Sequence, residues 1–160
     1  MKIKRLQAIE FRQNGDYAAS CQLLKELIAQ NPDNAELLYQ CAWSHDTAGL
    51  EVEAVPYYEK AIQLGLEESD LSEAYLGLGS TYRTIGAYQK SKQLYLEALK
   101  KFPENKVYPI FLAMTYYNLA EYSQAMELLL RTISEIKTDS EIKTYQKAIA
   151  FYADKLDQIW

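Results

Sequence analysis

Residues 75–103 read YLGLGSTYRTIGAYQKSKQLYLEALKKFP, and this stretch decides the fold. A small residue, Gly79, is followed three places later by a ring, Tyr82, and then by a turn glycine, Gly86. A small residue lets two helices approach closely, and glycine readily adopts the positive φ that ends a helix. The stretch therefore predicts a helix, a tight turn and a second helix, which stops before Pro103 because proline cannot continue it.

The same pattern occurs four times, at spacings of 34, 37 and 34 residues. The small residue and its ring are Ala8 with Phe11, Ala42 with His45, Gly79 with Tyr82 and Ala113 with Tyr116. The turn positions are Gly15, Gly49, Gly86 and Ala120, and the next small residues are Ser20, Ala54, Ser91 and Ala125. Self-similarity at such a period predicts an array of stacked helix pairs.

These residues resemble the tetratricopeptide repeat (TPR) family, whose unit is a helix-turn-helix of 34 residues. The resemblance implies an all-α fold, a right-handed α-α superhelix (solenoid) of four units with a C-terminal capping helix, forming one domain over 1–160. The units are expected near 1–34, 35–68, 72–105 and 106–139, with the capping helix at 140–160. The chain looks most like small stand-alone bacterial members of the family whose molecular role is unassigned.

The pattern predicts eight helices before the last segment. They are expected near 2–14, 17–30, 34–48, 51–64, 71–85, 88–101, 106–119 and 122–136. Lys4 and Gln7 replace the large apolar residues of the family pattern, which predicts a frayed first helix. The stretch 65–70 adds three residues and predicts a loosened or rotated step between the second and third units. Pro56 predicts a kink or a later start of its helix, whereas Pro109 falls in a first turn, where proline is tolerated.

The segment 140–160 carries one apolar stripe, formed by Ile142, Tyr145, Ile149, Tyr152, Leu156 and Ile159. A terminal helix that covers the last apolar face fits this stripe. Phe151 and Trp160 lie off the stripe, so the segment has two interpretations. It is either a well-anchored cap or a cap that also forms a homodimer contact through Phe151 and Trp160.

The charges and the cysteines restrict the cellular location and the class of partner that we expect. The formal net charge is -5, and ten acidic residues and one base lie between Asp33 and Glu73. Such acidity disfavours nucleic acid as a partner. Cys21 and Cys41 are the only cysteines, and we expect two reduced, buried thiols rather than the alternative of one disulfide. Without a signal peptide or membrane span, a cytoplasmic protein with no membrane partner is expected.

In the family, the first helix of each pair lines the concave surface, so the resemblance implies a partner-binding groove on these helices. The inward positions are expected to be Arg5, Ile9 and Arg12, then Tyr39, Trp43 and Asp46, then Leu76, Ser80 and Arg83, then Ile110, Met114, Tyr117 and Asn118. Aromatic residues and arginine dominate binding energy at interfaces. The groove would fit an amphipathic helix or an apolar extended segment with acidic groups, although some of these residues would equally serve helix packing.

One well-known binding mode of the family grips the carboxylate tail of a chaperone. The corresponding positions here are Arg5, Ile9, Gln40, Glu73 and Gly77. Only Arg5 matches in type, and Glu73 would repel a carboxylate. This mode is therefore disfavoured.

The sequence offers no catalytic group, metal cluster or cofactor motif. Ser44, His45 and Asp46 are adjacent, but neighbouring helical residues point about 100° apart and cannot form a catalytic relay. His45 takes the place of a packing ring, and the glycines at 77 and 79 lack phosphate-loop spacing. An adaptor that binds another protein is therefore the favoured function. A self-assembling homodimer is the alternative, and an enzyme or small-molecule binder is disfavoured.

Overall fold

The computed structural model describes residues 2–136 together with residues 143, 146, 147, 150 and 153. The chain divides into two compact units, Met1–Ala87 and Tyr88–Trp160. Every regular element in the described part is a helix, which confirms the all-α class. The helices are α1 (Lys2–Gln13), α2 (Tyr17–Gln30), α3 (Ala35–Thr47), α4 (Glu51–Leu64), α5 (Glu68–Thr84), α6 (Tyr88–Lys101), α7 (Val107–Asn118) and α8 (Tyr122–Ser134). The predicted cap at 140–160, with Phe151 and Trp160, lies outside the continuously described residues.

Three local expectations need correction. Residues 68–70, expected in a linker, form the first turn of α5, where Glu68 and Asp70 meet the positive end of the helix dipole. The first helix is formed from Lys2 onward, although Lys4 and Gln7 are exposed as expected. The later start expected from Pro56 is also wrong, because α4 begins at Glu51 and includes that proline.

The four turns share one backbone geometry. Gly15, Gly49 and Gly86 have φ values of 83°, 73° and 80°, and Ala120 adopts 60°. Beyond each turn, an amide donates to the carbonyl of the ring residue: Asp16 to Phe11, Leu50 to His45, Ala87 to Tyr82 and Glu121 to Tyr116, at 2.8–2.9 Å. This hydrogen bond, from an amide to the carbonyl five residues earlier, is the 6→1 bond of the Schellman motif that ends helices. The predicted left-handed turn is therefore confirmed in every repeat.

The core of the first unit forms where the small residues allow close approach. Ala8, Leu24, Leu27, Leu37 and Cys41 form one buried cluster from α1, α2 and α3. The hydroxyl of Ser20 donates to the carbonyl of Ala8 at 2.7 Å. The small residue after the turn thus joins two helices by packing and by a hydrogen bond.

Close packing against Tyr58 explains why residue 77 is a glycine. A Cβ placed there would lie 2.5 Å from the hydroxyl oxygen of Tyr58, which is closer than atoms can approach. Tyr58 is itself buried. Gly77 therefore admits the Tyr58 ring between α4 and α5 and has no need of a phosphate-binding role.

The second unit has an aromatic core. Tyr95 and Tyr108 are completely buried, and their ring centroids lie 6.3 Å apart. Phe111 and Phe102 pack on the same pair at 6.3 and 6.2 Å. Ser91 and Thr115 share a hydrogen bond of 3.0 Å, with the same sequence separation as the 2.8 Å bond between Ser20 and Ser44. No described helix is both long and apolar enough to cross a membrane.

Candidate partner-binding faces

Two surfaces contain the residues that the sequence assigns to binding. The α1–α3–α5 face belongs to the first unit and comprises Arg5, Ile9, Arg12, Tyr39, Trp43, Asp46, Leu76, Ser80 and Arg83. The α7 face belongs to the second unit and comprises Ile110, Met114, Tyr117 and Asn118. Within the first unit, α3 contacts both α1 and α5.

Arg12 is the centre of the α1–α3–α5 face. Its Nη1 donates to the carbonyl of Gln40 at 3.2 Å and to Ser44 Oγ at 3.1 Å, and its Nη2 donates to Gln40 Oε1 at 2.8 Å. The side chain is only 7% exposed, and burial lowers its pKa. All of its hydrogen-bond acceptors are neutral, and no described carboxylate forms an ion pair with it. A buried cation without a counter-ion favours anionic groups nearby.

Trp43 is held in place by its neighbours while remaining 41% exposed. The guanidinium carbon of Arg12 lies 4.0 Å from the centroid of the indole ring. On the same helix, the Tyr39 ring lies 5.9 Å from Trp43 at 31°. Tyr39 is almost completely buried. It therefore packs against the indole ring and adds little exposed surface of its own.

Asp46 ties α3 to the next two helices. Its Oδ1 accepts from Thr81 Oγ1 at 2.9 Å, and its Oδ2 accepts from the Tyr58 hydroxyl at 3.5 Å. Burial raises the pKa of Asp46, while the Thr81 bond acts in the opposite direction. The carboxylate is thus a structural acceptor, and much of its bonding capacity is used inside the chain.

The flanks of this face are less open than the sequence predicts. Arg5 forms an ion pair with Glu36, which further weakens the carboxylate-gripping mode. Ile9, Leu76, Ser80 and Arg83 are half-buried. Trp43 is therefore the main apolar group exposed on this face.

The α7 face is more open and more apolar. Ile110, Met114 and Tyr117 follow one another at spacings of four and three residues and are 38%, 41% and 65% exposed. Asn118 is also exposed. The rings of Tyr117 and Tyr122 meet edge to face at 5.2 Å, so α8 helps to orient Tyr117. Consecutive exposed apolar side chains on one helix are typical of a binding surface.

Sequence reasoning missed the residues that hold the first face together. Gln40, Ser44, Thr81 and Tyr58 orient Arg12 and Asp46, and all four are buried. Gln40 and Ser44 are one turn apart on α3, beside Tyr39 and Trp43. The available signal was that Gln40 and Ser44 occupy helix positions where the pattern expects apolar residues. Polar groups buried at such positions need hydrogen-bond partners.

Within the described residues, no group of three or more His, Cys, Asp or Glu side chains could hold a metal ion. Cys21 and Cys41 are free and buried, as predicted. His45 is completely buried and stacks on Tyr57 at 5.2 Å, which confirms its packing role. Its neighbours Ser44 and Asp46 bond to Arg12 and Thr81, so the three adjacent residues form no relay.

The family model described as "Tetratrico peptide repeat" matches residues 35–156. The chain belongs to the tetratricopeptide repeat family. The TPR fold is a scaffold for protein interaction and is generally non-enzymatic. No curated protein matches the sequence.

Solved structures agree with this fold. A crystal structure of MamA is 21% identical, with a TM-score of 0.70 and coverage of 92% of this chain and 90% of that one. MamA residues 41 to the end, from Desulfovibrio magneticus RS-1, gives 15% identity, a TM-score of 0.75 and coverage of 98% and 86%. A putative kinesin light chain from Podosopora anserina, with nearly identical TPR-like repeats, is 15% identical. Its TM-score is 0.74, and the match covers 98% of this chain and 86% of that one. At these identities the likeness concerns the fold alone.

Proposed function

We propose that this TPR protein is a non-enzymatic adaptor that binds a segment of another protein. The binding residues are those of the α1–α3–α5 face and the α7 face. The proposal is supported by the family's role as an interaction scaffold. It is supported further by the exposed Trp43 and Tyr117, since tryptophan and tyrosine are enriched among residues that dominate binding energy.

The observation that carries the proposal is the fixed position of the Trp43 ring. Arg12 lies against the ring and is itself tied to Gln40 and Ser44. A large side chain that is already ordered loses little conformational entropy on binding. Exposing the indole ring to water is unfavourable, and an apolar group of a partner that covers Trp43 would remove that cost.

The chemistry of the two faces defines the partner. The apolar groups Trp43, Met114 and Tyr117 favour a partner with apolar anchors, supplied by an amphipathic helix or an extended segment. No described carboxylate forms an ion pair with Arg12, so an acidic group beside the anchor that meets Trp43 would be attracted. The acidic stretch between residues 33 and 73 adds repulsion against a partner with a large negative charge.

The test is capture of partners by the purified chain, followed by affinity measurement with the identified partner segment. Trp43→Ala and Tyr117→Ala are each expected to weaken the affinity about 30-fold, as for an interface residue worth about 2 kcal/mol. The matched controls are Tyr17→Ala and Val52→Ala, which remove exposed apolar groups from α2 and α4. Both controls should leave the affinity unchanged.

Three outcomes separate the alternatives. Loss of binding in the two face variants alone, with unchanged helical circular dichroism, supports the adaptor. Unfolding of Trp43→Ala or Tyr117→Ala would show that the residue belongs to the core and not to a binding face. Recovery of the chain alone, with a dimer mass by light scattering, would instead favour the homodimer, for which Phe151 and Trp160 remain the proposed contacts.

We also propose a cytoplasmic location for the protein. The support is the pair of free, buried cysteines, Cys21 and Cys41, because thiols remain reduced in the cytosol. The partner is proposed to be neither a nucleic acid nor a membrane, given the formal net charge of -5.

A further inference from the structure

The first unit contains a cavity that is lined by side chains of α2, α3 and α4. Its volume is about 510 Å³, which lies within the usual range of roughly 300–1,000 Å³ for small-molecule sites. Most of the lining residues are apolar, and three are charged. The lining residues are Lys25, Ile28, Pro32, Leu38, His45, Glu53, Pro56, Tyr57 and Lys60.

The apolar part of the lining suits a large apolar or aromatic group. Leu38 is almost completely buried, whereas Ile28 and Tyr57 are half-buried and keep exposed surface. His45 is completely buried and stacks on the Tyr57 ring at 5.2 Å, so it supports that ring and needs no contact with a ligand. A ligand group placed against Ile28 and Tyr57 would remove apolar surface from water, which is favourable.

The three charged residues of the lining differ in what surrounds them. Lys60 forms an ion pair of 3.0 Å with Asp33, so its charge is balanced within the chain. Lys25 and Glu53 form no ion pair with each other or with any other described residue. Burial lowers the pKa of His45, and the charges of Lys25 and Glu53 act on it in opposite directions. Both charges therefore lie near the His45 end of the cavity.

One cation and one anion beside an apolar lining favour a ligand that carries both charges. An anion would be attracted by Lys25 and repelled by Glu53, and a cation would meet the reverse. We propose that this cavity binds a free α-amino acid with a large apolar or aromatic side chain. The carboxylate of the ligand meets Lys25, its ammonium group meets Glu53, and its side chain lies against Ile28 and Tyr57. Peptide segments fit less well, because peptide bonds remove these adjacent charges.

The test compares L-phenylalanine with two analogues that each lack one charged group. Phenylpropionate has no ammonium group, and phenethylamine has no carboxylate. Titrations followed by backbone-amide NMR spectra give the affinities, and the amides of Ile28 and Tyr57 report whether the ligand is in the cavity. Wild type is expected to bind L-phenylalanine about two- to fivefold more tightly than either analogue, the value of one exposed ion pair. L-alanine, which lacks the ring, should bind about tenfold more weakly than L-phenylalanine.

Two surface variants separate the charges. Lys25→Gln should abolish the preference for L-phenylalanine over phenethylamine and keep the preference over phenylpropionate. Glu53→Gln should have the opposite pattern. Both residues are exposed, so neither substitution disturbs the core. The matched controls, Lys100→Gln and Glu104→Gln, change exposed charges outside the cavity and should bind as wild type does.

Trp43→Ala should also bind L-phenylalanine as wild type does, because Trp43 does not line the cavity. Failure of the adaptor function would therefore leave this result unaffected. Absence of L-phenylalanine binding, or equal affinities of wild type for the three phenyl compounds, would overturn the proposal. Shifts confined to amides beyond α2, α3 and α4, or preferences unchanged in both Lys25→Gln and Glu53→Gln, would overturn it as well.

Discussion

Ala120 is the one turn residue of the four that is not glycine, yet it adopts the same left-handed conformation, with φ of 60°. An L-residue in that region costs about 1–2 kcal/mol through its Cβ. Because Ala120 is exposed, its methyl group contributes little packing. We therefore expect Ala120→Gly to raise the free energy of unfolding by about 0.5–1 kcal/mol, after the greater flexibility of glycine in the unfolded chain is subtracted. Thermal unfolding followed by circular dichroism measures the change.

The matched control for Ala120 is Gly86→Ala in the third turn. Gly86 has φ of 80°, and a Cβ there would meet no atom within 4 Å. The substitution therefore isolates backbone strain and should lower the free energy of unfolding by about 1 kcal/mol. A stabilising Gly86→Ala, or a destabilising Ala120→Gly, would contradict the role assigned to the turn conformation.

At the scale of the elements, Asp46 is the acceptor that joins α3 to α4 and α5. Its neighbours are the Tyr58 hydroxyl, the Thr81 hydroxyl and the charge of Glu51. Burial raises the pKa of Asp46 in the folded chain, so its charged form opposes folding at pH values above that folded pKa. The opposition disappears as the pH falls through the folded pKa, and is absent below the unfolded pKa.

Asp46→Asn removes the charge, keeps one acceptor oxygen for the Thr81 hydroxyl, and places an amide NH2 that can donate to the Tyr58 hydroxyl oxygen. We expect this variant to unfold at a higher temperature than wild type at pH 7, with a difference that shrinks as the pH falls into the acidic range. Asp46→Ala is the control, because it loses both hydrogen bonds and should be less stable by about 1–3 kcal/mol. A wild type that is more stable than Asp46→Asn at pH 7 would show that the charge itself holds the helices together.

Most of the helix boundaries were predictable from local sequence signals. The turn glycines and the small residues after them fixed seven helices to within about two residues, because each signal acts over a single turn. The exception is α5, whose start at Glu68 depends on acidic residues that suit a first turn as well as a linker. The resemblance to the TPR family, with the inward spacing expected on the first helix of each pair, predicted Trp43 and Tyr117 as groove positions, and both side chains are exposed.

The interactions that orient the residues of the proposed binding face could not be predicted in the same way. The contact of Arg12 with Gln40 and Ser44, and that of Asp46 with Thr81, join residues 28 to 35 positions apart. Which buried polar groups pair across two helices depends on the rotation of each helix, and apolar periodicity leaves that rotation uncertain by one residue.

At the scale of the whole molecule, the distribution of buried contacts predicts how stability is divided. In a repeat protein each element packs mainly on its neighbours in sequence, so a group of repeats can be stable by itself. The unit Met1–Ala87 has its own apolar cluster around Leu24 and its own polar bonds between α1, α3 and α5. The unit therefore contains apolar and polar interactions that connect its helices.

We predict that a fragment ending at Ala87 folds without the rest of the chain. It should keep helical circular dichroism and unfold cooperatively with heat or urea, because the apolar cluster around Leu24 and the polar bonds between α1, α3 and α5 lie within those residues. Leu24→Ala within the fragment is the control, and it should cost about 2–5 kcal/mol because Leu24 is fully buried. A fragment without a cooperative transition would instead mean that residues beyond Ala87 are needed to stabilise α1 to α5. In the folded fragment, the Trp43 contacts would be intact and its binding could be measured apart from that of Tyr117.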